Sequence, residues 1–331
     1  MRYKVWLAAA ALIACLGVGV GWSYYAALTD VVVSVPVTVE VVKGDSFTRI
    51  IEKLQAQQVP INGLWFKLLA LPGDGYKRVK TGEYELPAGL TQPDILALLL
   101  AGKTKRYAIT IPEGWNFSQL RRAVEQNPHL EHTLNGLEPV ALMAKLGATA
   151  THPEGAFFPD TYFFEKHTSD VALLQRAYLK MQQVIAREWP HKAEQLPYKN
   201  AYEALIMASI IEKETAAEPE RPQIAGVFVR RLQQGMRLQT DPTVIYGLGT
   251  AYQGDITYKD LKTLTPYNTY LITGLPPTPI AMPGLAAIKA ALHPDTSASL
   301  YFVARGDGTH VFSANLAAHN QAVNQYQRKS K

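Results

Sequence analysis

A single cysteine, Cys15, occurs in 331 residues, which excludes a disulfide framework and a cysteine-based zinc site. Charged side chains are also sparse, at 18% against an average of roughly 25%. The 47% apolar share supplies ample surface for a core, so neither a disordered nor a fibrous chain fits. Glycine (23) and proline (21) are ordinary, and no repeat or low-complexity stretch is found. Of the 33 basic residues, Arg2 and Lys4 stand at the extreme N-terminus; the rest nearly balance 28 acids, too slight an excess to suggest nucleic acid as partner. No G-x-x-x-x-G-K-S/T and no G-x-G-x-x-G after a strand is present, so nucleotide binding is not expected. The eight histidines are scattered. His129 and His132 form the only close pair without an acidic cluster to complete a site, so neither a metal nor another cofactor is expected.

Between Val5 and Thr29 there is no Asp, Glu, Lys or Arg. About 20 apolar residues cross a hydrocarbon core of about 30 Å, so this stretch is long enough for a membrane anchor. Trp22, Tyr24 and Tyr25 stand where an aromatic belt would form. With Arg2 and Lys4 before the run and Asp30 after it, the positive-inside rule keeps the N-terminus cytoplasmic and exports the remainder. The expected arrangement is therefore a single-pass membrane protein with the larger part outside the cytoplasm. Two alternatives remain: a cleaved signal peptide, whose apolar core is usually shorter, and a lipobox at Leu12-Ile13-Ala14-Cys15, which would leave Cys15 lipidated.

The exported chain is expected to be α+β. Residues 30–36 read as a β-prone connector, and VTVEVV from Val37 as a strand. Asp45 is the expected N-cap of a helix whose Phe47, Ile50, Ile51 and Leu54 share a face. Helices are expected over 63–71 and 92–101, with a strand–turn–strand over 76–90. Lys43-Gly44-Asp45-Ser46 and Gly82-x-Tyr84-x-Leu86-Pro87 resemble a LysM-like module, which implies binding to N-acetylglucosamine-containing polymers. Beyond a connector over 107–115, helices are expected at 118–125, 138–145, 169–189, 200–215, 219–234 and 285–292. An aromatic loop covers 154–162, a loop region 235–284, a strand 300–304, and a last helix starts near Asn315. The expected organisation is 1–29 as cytoplasmic N-terminus and anchor, 30–106 as connector and LysM-like unit, and 107–331 as the catalytic unit.

The segment NAYEALIMASIIEKET, 200–215, carries the sharpest chemical signal. At about 100° per residue, Ile206, Met207, Ile210 and Ile211 form an apolar face with Glu214 near its centre, whereas Glu212 falls on the opposite side with Ala208 and Ser209. An acid within an apolar stripe is desolvated and its pKa rises, which suits a general acid for glycosidic bonds. Glu212 is expected to stay ionised on a polar face. Ser209 and Lys213, at i and i+4, form a rival nucleophile pair that would need the lysine desolvated. Gln239, Asp241 and Tyr246, and then Tyr267, Asn268 and Tyr270, lie in loops whose rings, amides and hydroxyls suit sugars. Asp241 is the obvious second carboxylate, although Asp before Pro is also a common turn former.

Taken together, Glu154-Gly-x-x-Phe158-Pro-Asp-Thr-Tyr162, Ala208-Ser-Ile-Ile-Glu-Lys-Glu-Thr215 and Arg237-Leu-Gln-Thr-Asp-Pro-Thr-Val-Ile-Tyr-Gly247 resemble the YceG-like family. Tyr267-Asn-Thr-Tyr270, Gly274-Leu-Pro-Pro277 and His319-Asn320 add to the likeness, which covers nearly the whole chain. Bacterial members of the family are endolytic murein transglycosylases. The resemblance implies a lytic cut between N-acetylmuramic acid and N-acetylglucosamine inside a glycan strand, leaving a 1,6-anhydro end and terminating or trimming nascent glycan. It assigns catalysis to the glutamate followed by threonine, Glu214, and the substrate cleft to Gln239, Asp241, Tyr246, Tyr267, Asn268 and Tyr270. Peptidoglycan strands and peptidoglycan synthases are the implied partners, and the implied place is a bacterial inner membrane, crossed once by the N-terminal helix, with the catalytic part periplasmic. The alternatives are a hydrolytic muramidase and a non-catalytic wall-binding scaffold.

Overall fold

In a computed structural model that describes residues 2–148 and 152–328, the chain has an α+β fold. The apolar run forms one continuous 28-residue helix, α1 (Arg2–Thr29). At 1.5 Å per residue it measures about 42 Å, enough to cross a hydrocarbon core of about 30 Å. Among the described residues it is the one helix long and apolar enough to do so. α1 passes straight into folded chain. Asp30 N donates to Ala26 O at 2.9 Å, Val31 bridges Thr91, and Val32 N donates to Leu90 O at 2.8 Å. Val32 and Val33 are buried in the adjoining core, so the β-prone connector also packs against the first unit.

Two compact units form among the described residues: the chain up to 107 together with 163–167, and 108–162 together with the residues from 168 onwards. In the first, β1 (Val37–Val41) pairs antiparallel with β2 (Gly82–Leu86), with Val39 opposite Tyr84. Between them lie α2 (Phe47–Ala56), α3 (Gly63–Leu69) and the short α4 (Gly75–Arg78), so 76–90 contains one strand rather than the expected two. α5 (Gln92–Ala101) follows and closes on Gly102 in the left-handed region. Ile50, Ile51, Leu54, Phe66, Tyr84 and Leu99 fill the core. The N-cap of α2 is Ser46, which accepts from Arg49 N at 3.1 Å. Asp45, the expected cap, instead accepts from Val42 N and pairs with Lys53 of α2, because the helix begins at Phe47 and leaves Ser46 as its flanking residue. The returning segment 163–167 places Lys166 3.4 Å from both Glu40 and Glu83.

Strands β3 (Arg106–Thr110) and β5 (Thr161–Glu165) pair and carry the chain out of the first unit and back. The second unit adds α6 (Phe117–Glu125), α7 (Pro139–Lys145) and two-residue strands β4 (Leu130–Glu131) and β6 (Thr168–Ser169), which pair in parallel. Its helical body comprises α8 (Asp170–Glu188), α9 (Ala201–Glu214), α10 (Arg221–Gln233), α11 (Asp241–Leu248) and α12 (Leu285–Leu292). An antiparallel pair, β7 (Tyr301–Ala304) and β8 (His310–Ser313), precedes α13 (Leu316–Val323).

α9 threads the core of this unit. Asn200 caps it by accepting from Glu203 N at 3.0 Å, and every residue from Ala204 to Ile211 is buried. Met181 of α8, Ile224 and Phe228 of α10, and Ile288 and Leu292 of α12 pack around it. Over Ala204–Ile211 the helix therefore has no solvated face, which alters the expected contrast between the two glutamates that follow. α11 lies in the region expected to be loop. Asp241-Pro242 opens it, because a proline in the first turn removes an N–H that has no helical partner there.

Candidate active site

Glu214 is the last residue of α9, and Thr215 leaves the helix in extended conformation. This terminus brings the carboxyl to the hydroxyl of Thr240, which donates to Glu214 Oε1. Thr240 is itself fixed: its N donates to Thr269 Oγ1 at 3.0 Å, and its carbonyl accepts from Thr243 Oγ1 at 2.7 Å. The carboxyl is enclosed, although Glu214 keeps a partly open edge on a cavity of about 530 Å³. Burial pushes its pKa up to about 7; the Thr240 hydrogen bond works against the rise and the nearby charge of Asp241 adds to it.

Gln239, Asp241 and Tyr270 line the same cavity. Tyr270 donates its phenol to Asp241 Oδ1 at 2.6 Å, and burial raises the phenol's pKa above its ordinary value. Gln239 adopts a left-handed backbone with φ 52°, and its N donates to Thr269 O at 3.2 Å. Its Oε1 accepts from Arg231 Nη1 at 3.4 Å. Arg231 is a cavity residue that the sequence did not signal. It is buried beneath the Tyr301 ring, 5.0 Å from the centroid, and donates to Leu300 O at 2.7 Å and Leu238 O at 2.8 Å. Desolvation lowers its pKa. His319 and Asn320 of α13 complete the wall.

Tyr246 and Tyr267 line a different cavity, of about 740 Å³. Their rings meet edge-on with centroids 4.8 Å apart, and Tyr267 Oη lies 2.9 Å from Thr278 Oγ1. Tyr246 donates to Glu154 Oε2 at 2.9 Å. Glu154 is only 3% exposed, and its two oxygens accept from Phe117 N at 3.0 and 3.2 Å. Burial pushes its pKa up to about 7, against these hydrogen bonds. α11 joins the two cavities, with Asp241 in the first and Tyr246 in the second. Asn268 lines neither. It is fully buried, with Nδ2 donating to Leu261 O at 3.1 Å and Thr263 O at 2.8 Å while Oδ1 accepts from Tyr270 N. It holds the loop that bears Tyr267 and Tyr270.

Glu212 departs from expectation. Its side chain is 5% exposed rather than on a solvated face, and burial raises its pKa. Arg221 Nη2 at 3.1 Å and Gly284 N at 2.9 Å donate to its two oxygens and oppose that rise. Among the described residues, Glu214 has no such cationic hydrogen-bond partner. The rival Ser209–Lys213 pair does not form. Ser209 is buried, donating to Ile206 O at 2.7 Å and accepting from Ile280 N at 3.0 Å, while exposed Lys213 donates to Gly114 O. Among the described residues, no group of three or more His, Cys, Asp or Glu could hold a metal ion.

The YceG-like family matches residues 39–325. Over 270 residues the chain is 34% identical to the endolytic murein transglycosylase of Bacillus subtilis, covering 76% of this chain and 74% of that protein. Over 315 residues it is 29% identical to the endolytic murein transglycosylase of Streptococcus pneumoniae, covering 84% of this chain but 56% of that longer relative. It also resembles a crystal structure of a YceG-like protein from Listeria monocytogenes, at 33% identity and a TM-score of 0.56, over 87% of this chain and 99% of that one. With a match that spans both units and relatives above 30% identity, the chain belongs to the YceG-like family and is homologous to endolytic murein transglycosylases.

Proposed function

We propose that the chain is a membrane-anchored lytic transglycosylase that cuts the bond between N-acetylmuramic acid and N-acetylglucosamine within peptidoglycan strands, with Glu214 as both acid and base. The names of its relatives support the substrate class. The observation that carries the chemistry is a carboxyl enclosed at the end of α9, free of a cationic hydrogen-bond partner, raised to about 7 and bordering an open cavity.

Protonated Glu214 donates its proton to the glycosidic oxygen, which leaves with the N-acetylglucosamine as a hydroxyl while positive charge builds at the muramic C1. The Glu214 carboxylate then takes the proton of the muramic C6 hydroxyl as that oxygen bonds to C1. The 1,6-anhydro ring closes, the acid is regenerated and no water is consumed. An intramolecular nucleophile held in place has a large entropic advantage over solvent. Gln239, Asp241 and Tyr270 border the reacting sugar, and Tyr246 and Tyr267 offer rings to a neighbouring residue of the strand, with Asn268 shaping the loop that bears Tyr267 and Tyr270.

α1 serves as anchor, with the N-terminus cytoplasmic and both units periplasmic, near nascent glycan and the synthases that make it. Residues 30–106 act as a LysM-like glycan-binding unit, and 107–331 carry catalysis. A hydrolytic reading draws support from Asp241, a second carboxylate in the Glu214 cavity that could activate water. Reducing-end analysis of glycan strands treated with the detergent-solubilised chain separates the two: anhydro ends support the lyase, and free reducing ends sink it in favour of hydrolysis. Retained glycan binding without cleavage would favour the scaffold.

A further inference from the structure

α3 presents an apolar stripe to solvent. Leu64, Leu68 and Leu71 are 64%, 42% and 56% exposed. Spaced at i, i+4 and i+7, they fall within a narrow arc at about 100° per residue, nearly opposite Phe66, which is fully buried in the core. Leu71 continues the stripe with helical backbone angles just beyond α3. Lys67 flanks one side, and Tyr76, Lys77 and Arg78 of α4 extend the exposed surface, with Asp74 its one acid, paired to Lys77.

The other flank fixes what this stripe faces. Trp65 donates Nε1–H to Ser23 Oγ at 2.9 Å, and its ring meets Tyr24 edge-on, with centroids 5.1 Å apart. Ser23 and Tyr24 belong to α1. Counting about 20 residues from Val5 for a hydrocarbon core of about 30 Å ends near Tyr24. Trp65 is thus pinned at the depth where α1 would leave the hydrocarbon. The backbone bonds of Asp30 and Val32 join the first unit to α1 without slack. An aromatic residue at the boundary, leucines on one face and cations beside them is the composition of an interfacial helix.

We propose that the Leu64–Leu68–Leu71 stripe is seated in the interfacial layer of the bilayer that α1 crosses, on the side where α1 emerges, with Lys67, Lys77 and Arg78 against lipid phosphates. The first unit is then a membrane-docked base at fixed height rather than a tethered ball. This rests on α1 being a membrane span, and not on the cleavage chemistry.

The test uses the full chain with Cys15→Ser, carrying single nitroxide-labelled cysteines at positions 16, 68, 71 and 307, in vesicles of phosphatidylethanolamine and phosphatidylglycerol. Collision rates with oxygen and with a water-soluble nickel complex report lipid and water. Positions 68 and 71 are expected to show an oxygen-to-nickel ratio several-fold above that at exposed Asp307, approaching that at Leu16. A lipid-like ratio at 16 with water-like ratios at 68 and 71 overturns the docking and leaves the anchor standing. A water-like ratio at 16 overturns both.

Discussion

Thr240 donates its hydroxyl to the carboxyl of Glu214, so the residue that ends α9 is held by the residue that precedes α11. The bond both aims the acid and restrains its pKa. Replacing Thr240 with valine is expected to lower kcat by about 10- to 100-fold, the worth of a hydrogen bond to a charged group. It should also move the basic limb of the pH–rate profile upward, because this bond lowers the pKa of Glu214. Thr240→Ser should restore both; a profile unmoved by Thr240→Val would contradict this role.

Asp241 acts on the same carboxyl with the opposite sign, since its negative charge raises the pKa of Glu214. In the proposed reaction Glu214 acts as general acid and must be protonated, so activity is expected to fall as pH rises through about 7. In Asp241→Asn the falling limb should lie at lower pH. The check is the pH dependence of residual kcat/KM, whatever the height of the profile.

Glu154 and Glu214 tie stability to pH. Each carboxyl is raised from the usual 4.5 to about 7 in the folded chain. A raised folded pKa gives a stabilising contribution that is whole below the unfolded pKa and lost as pH climbs through the folded one. For one buried group the loss between pH 4.5 and 7 amounts to at most about 3 kcal/mol. Glu154→Gln should therefore melt a few degrees higher than the parent at pH 8, with little difference at pH 4.5. A lower melting temperature at pH 8 would show that the charged form is favoured by Phe117 N and Tyr246 more than burial disfavours it.

The Glu212–Arg221 pair is buried, with side chains 5% and 9% exposed. Arg221→Met strands the Glu212 carboxylate and is expected to cost about 3–5 kcal/mol. Adding Glu212→Gln should recover much of that loss. Urea unfolding of the two single variants and the double variant measures the coupling, and strictly additive effects would show that the two charges do not support each other.

The contrast between Glu212 and Glu214 was legible in sequence only in part. Spacing along 200–215 put Glu214 among apolar residues, but it could not show that α10 and the segment at Gly284 cover the other side of α9. Burial therefore acts on both acids, and what separates them is Arg221, a long-range partner no local pattern reveals. Ile50, Ile51 and Leu54 followed their expected face because a helix on a core edge obeys its own period. α11 was hidden because Asp-Pro opens both turns and helices, and only the packing of Val244 beyond it decides. Glu154 belongs to the 154–162 motif, but no local pattern shows that its carboxyl accepts from Phe117 N, 37 residues earlier in the chain. Arg231 carries no local signal, because its place in the cavity depends on the Tyr301 ring, 70 residues later in the chain.

In the proposed reaction one carboxyl, Glu214, performs the cut. This is tested most directly by mass spectrometry of purified glycan strands after incubation with the wild-type chain or with Glu214→Gln, both checked for folding by circular dichroism. Internal fragments with 1,6-anhydro ends from wild type alone are the expected result. Equal cleavage by Glu214→Gln would contradict it.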